Sequence, residues 1–145
     1  MRRLVRSATP LAILWLAACA APPTPPPDLL APTAEQAALR EAQTRSFDVS
    51  DRSQAMRGVI AALQDLGFII ERANEPLGLV TAARFAEPQY TDMVGVTVTV
   101  RPQGEDKMEI RVNAIYNNKP ITDAIIYQNF FQTLQRSLFV GQSQN

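Results

Sequence analysis

Between Val94 and Val100 every second residue is valine, and Gly95, Thr97 and Thr99 fill the gaps. A strict period of two is the pattern of a strand with one face buried and the other facing water. Met108, Ile110, Val112 and Ala114 repeat it, with Glu109, Arg111 and Asn113 on the alternate positions. The stretch between them, Pro102-Gln103-Gly104-Glu105-Asp106, has turn composition. Together these predict an antiparallel hairpin that is polar on one face.

Elsewhere the period lengthens. Met56, Val59, Ile60, Leu63 and Leu66 recur at three- and four-residue steps, which predicts one buried helical face. Asp51 followed by Gln54 suits the start of that helix, and Gly67 stands where a left-handed C-cap residue belongs. A second helix is expected to begin near Thr122 or Asp123, with Tyr127, Phe130, Phe131, Leu134 and Leu138 on its buried stripe. Large side chains of this kind contribute roughly 1.5–3 kcal/mol each when fully buried, so the second helix should be integral to the fold.

Shorter signals fill in the rest. Arg45 to Val49, Phe68 to Arg72 and Leu77 to Phe85 read as strands, with a turn at Asn74-Glu75-Pro76 and a loop over Glu87 to Asp92. Asn117 to Pro120 ends the sheet. Thr33 to Thr44 reads as an alanine-rich helix opened by a Thr33/Gln36 capping box, with little to bury. The order strand, helix, four strands, helix predicts an α+β fold. Its economical form is an antiparallel sheet of four to five strands with two helices packed on one face.

The N-terminal end follows a different logic. Arg2, Arg3 and Arg6 precede an apolar run from Leu11 to Ala18, which is too short for the about 20 residues of a spanning helix. Leu16-Ala17-Ala18-Cys19 then resembles the lipobox of bacterial lipoproteins. The resemblance implies that residues 1–18 are a signal peptide cut between Ala18 and Cys19, and that Cys19 is acylated. Residues 19–44 read as a Pro-rich and Ala-rich linker, in which five prolines between Pro22 and Pro27 favour an extended strut. Residues 45–140 form the expected α+β domain, and 141–145 a polar tail. By resemblance to enterobacterial lipoproteins, Ala20 in place of an aspartate points to the outer membrane, with the domain facing the periplasm. That sorting rule varies between bacterial groups, so the inner membrane and the cell surface stay open.

Composition narrows the chemistry. The chain is formally neutral, and without the three signal arginines fourteen acidic residues face eleven basic ones. That speaks against nucleic acid as a partner, and membrane attachment is left to the lipid on Cys19. A single cysteine leaves no internal disulfide, and the absence of histidine removes the Ser-His-Asp and Cys-His arrangements and imidazole zinc sites. Ser46, Ser50 and Ser53 therefore have no histidine to activate them. Asp65 reads as a solvated last-turn residue, Glu105-Asp106 as turn chemistry without calcium spacing, and the six glycines form no phosphate loop. No catalytic residue, metal site or cofactor is expected.

Leu63-Gln64-Asp65-Leu66-Gly67-Phe68, followed by Leu77-Gly78-Leu79-Val80-Thr81-Ala82, is similar to BamC, the lipoprotein accessory of outer-membrane barrel assembly. The resemblance implies a helix-grip-like domain, one copy here against two in BamC. Fold does not fix function. The leading expectation is a non-enzymatic, lipid-anchored periplasmic domain that binds or scaffolds other envelope proteins, with Phe85 and Tyr90 as contact patch. The alternatives are a carrier or sensor of a small hydrophobic ligand or lipid, and a spacer without a specific partner. Phe130-Phe131 would line a cavity in the carrier reading, although core packing is the expected role of both rings.

Overall fold

A computed structural model describes residues 30–86 and 91–142. Its elements are α1 (Ala34–Ala42), β1 (Thr44–Phe47), α2 (Arg52–Asp65), β2 (Ile69–Asn74), β3 (Leu79–Phe85), β4 (Met93–Gln103), β5 (Lys107–Tyr116), β6 (Lys119–Pro120) and α3 (Ala124–Gln142). The predicted hairpin is β4–β5, in register from Val94 opposite Tyr116 to Gln103 opposite Lys107. The sheet runs β1-β5-β4-β3-β2 with every neighbouring pair antiparallel. The fold is α+β, as the order of periods predicts.

The sheet has six strands because the Asn117-Asn118 turn does not end it. Both asparagines adopt positive φ, 46° and 63°, a conformation in which asparagine is one of the few tolerated residues. The chain therefore doubles back, and Lys119-Pro120 pairs with Ile115-Tyr116. β6 continues along the same edge of β5 that β1 covers further back. Between the two, the Val112 amide donates to the Gln43 carbonyl and the Ile121 amide to the Ala114 carbonyl, both at 2.9 Å.

Gln43 also corrects the domain boundary. The compact unit spans Pro32–Asn145, so it takes in α1, which the sequence reading assigned to the linker. Only 4% of Gln43 is exposed. Its side-chain amide donates to Asn113 and to the Tyr127 hydroxyl, each at 3.2 Å, and that hydroxyl in turn donates to the Ile121 carbonyl. A buried amide partnered on both sides is costly to release, so the segment is tied to the domain. α1 itself has its capping box at Thr33/Gln36 and no buried residue, with Leu39 only partly packed. The boundary at the other end shifts too. α3 runs on to Gln142, through the glycine at which the polar tail was expected to begin.

Both helical stripes lie on one face of the sheet. Met56, Val59 and Leu63 of α2 and Tyr127, Phe130, Phe131, Leu134 and Leu138 of α3 are buried against the valines of β4 and the Met108–Ala114 series of β5. The caps hold the geometry. Asp51 accepts from the amides of Ser53 and Gln54. After α2 the Phe68 amide donates to the Leu63 carbonyl and the Gly67 amide to Gln64, the paired bonds of a Schellman turn with Gly67 at φ 79°. Asp123 accepts from the Ile125 amide at the start of α3.

Candidate ligand-binding site

The helices pack more closely on the sheet at one end than at the other. Where α2 finishes and α3 begins, a groove of about 600 Å³ lies between them and the strands. Its floor is Val94 and Val96 of β4 with Val112 and Ala114 of β5, all pointing inward by strand alternation. Leu63, Leu66 and Phe68 form the wall from α2 and its C-cap, and Ile126, Tyr127 and Phe130 form the wall from α3. Almost everything deep in the groove is hydrocarbon or aromatic ring.

The polar groups stand at the mouth. Arg84, Tyr116, Lys119 and Asn129 line it. The Arg84 guanidinium lies 5.1 Å from the centroid of the Phe68 ring, within the range of a cation–π contact. The Tyr116 hydroxyl donates to the Asp92 carboxylate. That bond, with a further one from Asn117, holds Asp92 below its ordinary carboxylate value, and the same carboxylate pushes the Tyr116 phenol up.

The two adjacent phenylalanines separate. Phe130 lines the groove, whereas Phe131 turns away from it and packs on Phe47 with ring centroids 6.2 Å apart. Phe85, a residue of the expected contact patch, is 58% exposed at the end of β3 on the other face of the sheet. Tyr90, its expected companion, lies outside the described residues, as do Ala18 and Cys19. Ser46 bonds to Gln103 and Ser53 to Glu75, while Asp65, Glu105 and Asp106 are exposed. None of these lines the groove.

The sheet's second face carries an apolar patch that strand register makes visible. Ile69, Ala83, Gly95 and Ile115 pair in sequence across β2, β3, β4 and β5, and Phe85 pairs with Met93 in the next row. Ile69 is 71% exposed and Met93 49%. Ile115 lies over Gly95, where a Cβ would come within 3.2 Å of it.

The groove itself escapes a one-dimensional reading. Val94, Val96 and Ala114 read as ordinary core positions, and only the small size of Ala114 hints that the space above them is unfilled. Ile125-Ile126 was the better signal. They are apolar residues just off the buried stripe of α3, and Ile126 is 45% exposed at the groove's lip.

No family model matches the chain, and no curated protein matches it. Among solved structures it is similar to the adenylate sensor from AMP-activated protein kinase, in complex with 5-aminoimidazole-4-carboxamide 1-β-D-ribofuranotide. The similarity has 11% identity and a TM-score of 0.48, and covers 66% of this chain and 94% of that one. The α+β class rests on the strand register and helix packing described above. Among the described residues no helix is long and apolar enough to cross a membrane.

Proposed function

We propose that this chain is a non-enzymatic binding domain that takes up a small hydrophobic ligand in its helix–sheet groove. It would act as a carrier or sensor in the bacterial envelope, held there by lipid on Cys19. The observation that supports the binding role is the groove itself. Its volume of about 600 Å³ falls within the roughly 300–1,000 Å³ of small-molecule sites, and polar groups are confined to its mouth. The lipobox-like Leu16-Ala17-Ala18-Cys19 supports the anchor. Tethering would raise the effective concentration of the domain near membrane-borne ligand.

An apolar fluorescent dye tests the groove. The full chain should bind it, and Ile126→Glu, a change at an exposed position of the lip, should weaken binding while leaving the melting temperature nearly unmoved. Equal binding by both forms would remove the groove as the site. Fractionation tests the anchor: Cys19→Ser should release the protein into the soluble fraction, and retention in the membrane would rule out lipid on Cys19.

The scaffold reading has its own observation, the apolar patch of Ile69, Phe85, Met93 and Ile115 on the sheet face opposite the helices. Exposed patches of this kind mark interaction sites in soluble domains. Photo-crosslinking probes at Phe85, Tyr90 and Thr97 in intact cells would give a discrete envelope-protein adduct if this reading holds. Adducts to lipid alone would favour the groove.

A further inference from the structure

The mouth of the groove has a chemistry its floor lacks. Strand register places Arg84 opposite Val94, Val94 opposite Tyr116, and Tyr116 opposite Lys119. One row across four strands therefore carries a cation at each end. Three strand spacings put the two backbones about 14 Å apart, a gap that two long side chains can close around a head group. Both residues are exposed, and both line the groove. Among the described residues the ion pairs lie elsewhere, at Arg57–Asp51 and Lys107–Asp48. The nearby carboxylate, Asp92, is engaged by the Tyr116 hydroxyl.

Among the described residues the mouth has two cations and one committed carboxylate, and so a net positive charge. Beneath it the floor offers only hydrocarbon. A neutral apolar molecule would use the floor and leave the cations hydrated, and a cationic one would be repelled. A molecule with one anionic end and one apolar end uses both. The stacking of Arg84 on Phe68 fits this division, because the ring holds the guanidinium at the boundary between charge and hydrocarbon.

We propose that the groove takes a single-chain anionic amphiphile. Its carboxylate or phosphate head sits between Arg84 and Lys119, and its chain lies over Val94, Val96 and Ala114 against Phe130. This rests on the groove being a ligand site, and it adds the class of ligand.

The test uses the full chain carrying Cys19→Ser, so that no detergent competes, with cis-parinaric acid and its methyl ester as fluorescent probes. The native groove binds the acid about tenfold more tightly than the ester, a difference of the size expected from charge-assisted bonds at a partly open site. Arg84→Ala/Lys119→Ala, both exposed positions, abolishes that preference by weakening the acid far more than the ester. Arg84→Glu/Lys119→Glu inverts it, so that dodecylamine displaces a neutral dye better than laurate does. Competition by lysophosphatidylglycerol against laurate then separates the two sources of anion: whichever displaces the acid with the same dependence on Arg84 and Lys119 is the head group read. Equal binding of acid and ester by the native chain, or a preference that survives the double alanine change, overturns this proposal and leaves the groove intact. Failure of the native chain to bind either probe overturns the groove reading and this one together.

Discussion

The two ends of the helix–sheet interface are built from the same stripe and the same strands, yet they pack differently. At one a cluster of rings packs the layers together, leaving a smaller cavity of about 310 Å³ beside β1, and at the other lies the groove of about 600 Å³. At the ring-packed end Phe131 sits between Phe47 and Phe130, with ring centroids 6.2 and 5.3 Å away, and the Arg45 guanidinium stands 4.8 Å from its centroid. Gly58 lets α2 approach α3 closely there: a Cβ in its place would come within 2.4 Å of Leu138. At the other end α2 offers leucine where it offered glycine, and the inward residues of β5 step down from Met108 and Ile110 to Val112 and Ala114. Hydrophobic periodicity assigns residues to the interface, but side-chain volume decides whether the interface is solid. Interiors pack to near-crystalline density, so a groove of this size on the buried side of a small domain is a departure that calls for a use.

The largest effect should separate the adjacent phenylalanines. Phe131→Ala removes a ring enclosed on all sides and should cost about 3–5 kcal/mol. Phe130→Ala removes the same chemistry from a ring with one side on the groove, so its cavity merges with space already open. It should cost about 1–2 kcal/mol less, by chemical denaturation under identical conditions. Equal losses would mean that the groove is closed in solution. Ligand binding divides them the other way, because Phe130→Ala should weaken uptake and Phe131→Ala should not.

Adding volume sharpens the contrast. Ala62 on α2 and Ala114 on β5 are both buried. Ala62→Leu forces extra atoms into packed surroundings and should destabilise by about 1–3 kcal/mol. Ala114→Leu projects into the groove and should change stability by less than about 1 kcal/mol while blocking the apolar dye. A large loss of stability at Ala114 would show that the space above it is not free.

What the sequence could reveal follows the range of the interactions. The β4–β5 alternation, the α2 and α3 stripes, the Asp51 cap and the Gly67 turn all depend on residues a few positions apart, and each appears where the pattern puts it. Gln43 was missed because its partners are Asn113 and Tyr127, 70 and 84 residues away, and an alanine-rich helix with no buried face gives no hint of them. β6 was missed because it depends on two asparagines both taking positive φ, which composition permits without requiring. Phe85 was singled out as exposed, but its apolar neighbours Ile69, Met93 and Ile115 are joined to it only by strand register. The groove is the most non-local feature of all, since it depends on how two helices sit over one sheet.

The smallest expected effect lies at the mouth, where one hydrogen bond joins two titrating groups. The Tyr116 hydroxyl, and after it Asn117, lower the Asp92 pKa, and Asp92 raises that of Tyr116. A depressed carboxylate stabilises the fold above its unfolded value and loses that contribution as pH falls through the lower native one. A raised phenol is the mirror case: its contribution is present below the unfolded value and disappears as pH rises through the higher native one. The bond should therefore hold across the neutral range and fail only in acid and in strong alkali, leaving the mouth's charge constant between. Tyr116→Phe should return Asp92 toward the ordinary carboxylate range, read by NMR titration of its side chain. Asp92→Asn should bring the Tyr116 phenol down toward 10.0, read by ultraviolet titration. Both groups are solvent-exposed, so global stability should barely change in either variant. An Asp92 titration identical with and without the Tyr116 hydroxyl would show that the bond does not persist in solution, and that this carboxylate is free to compete for Arg84 and Lys119.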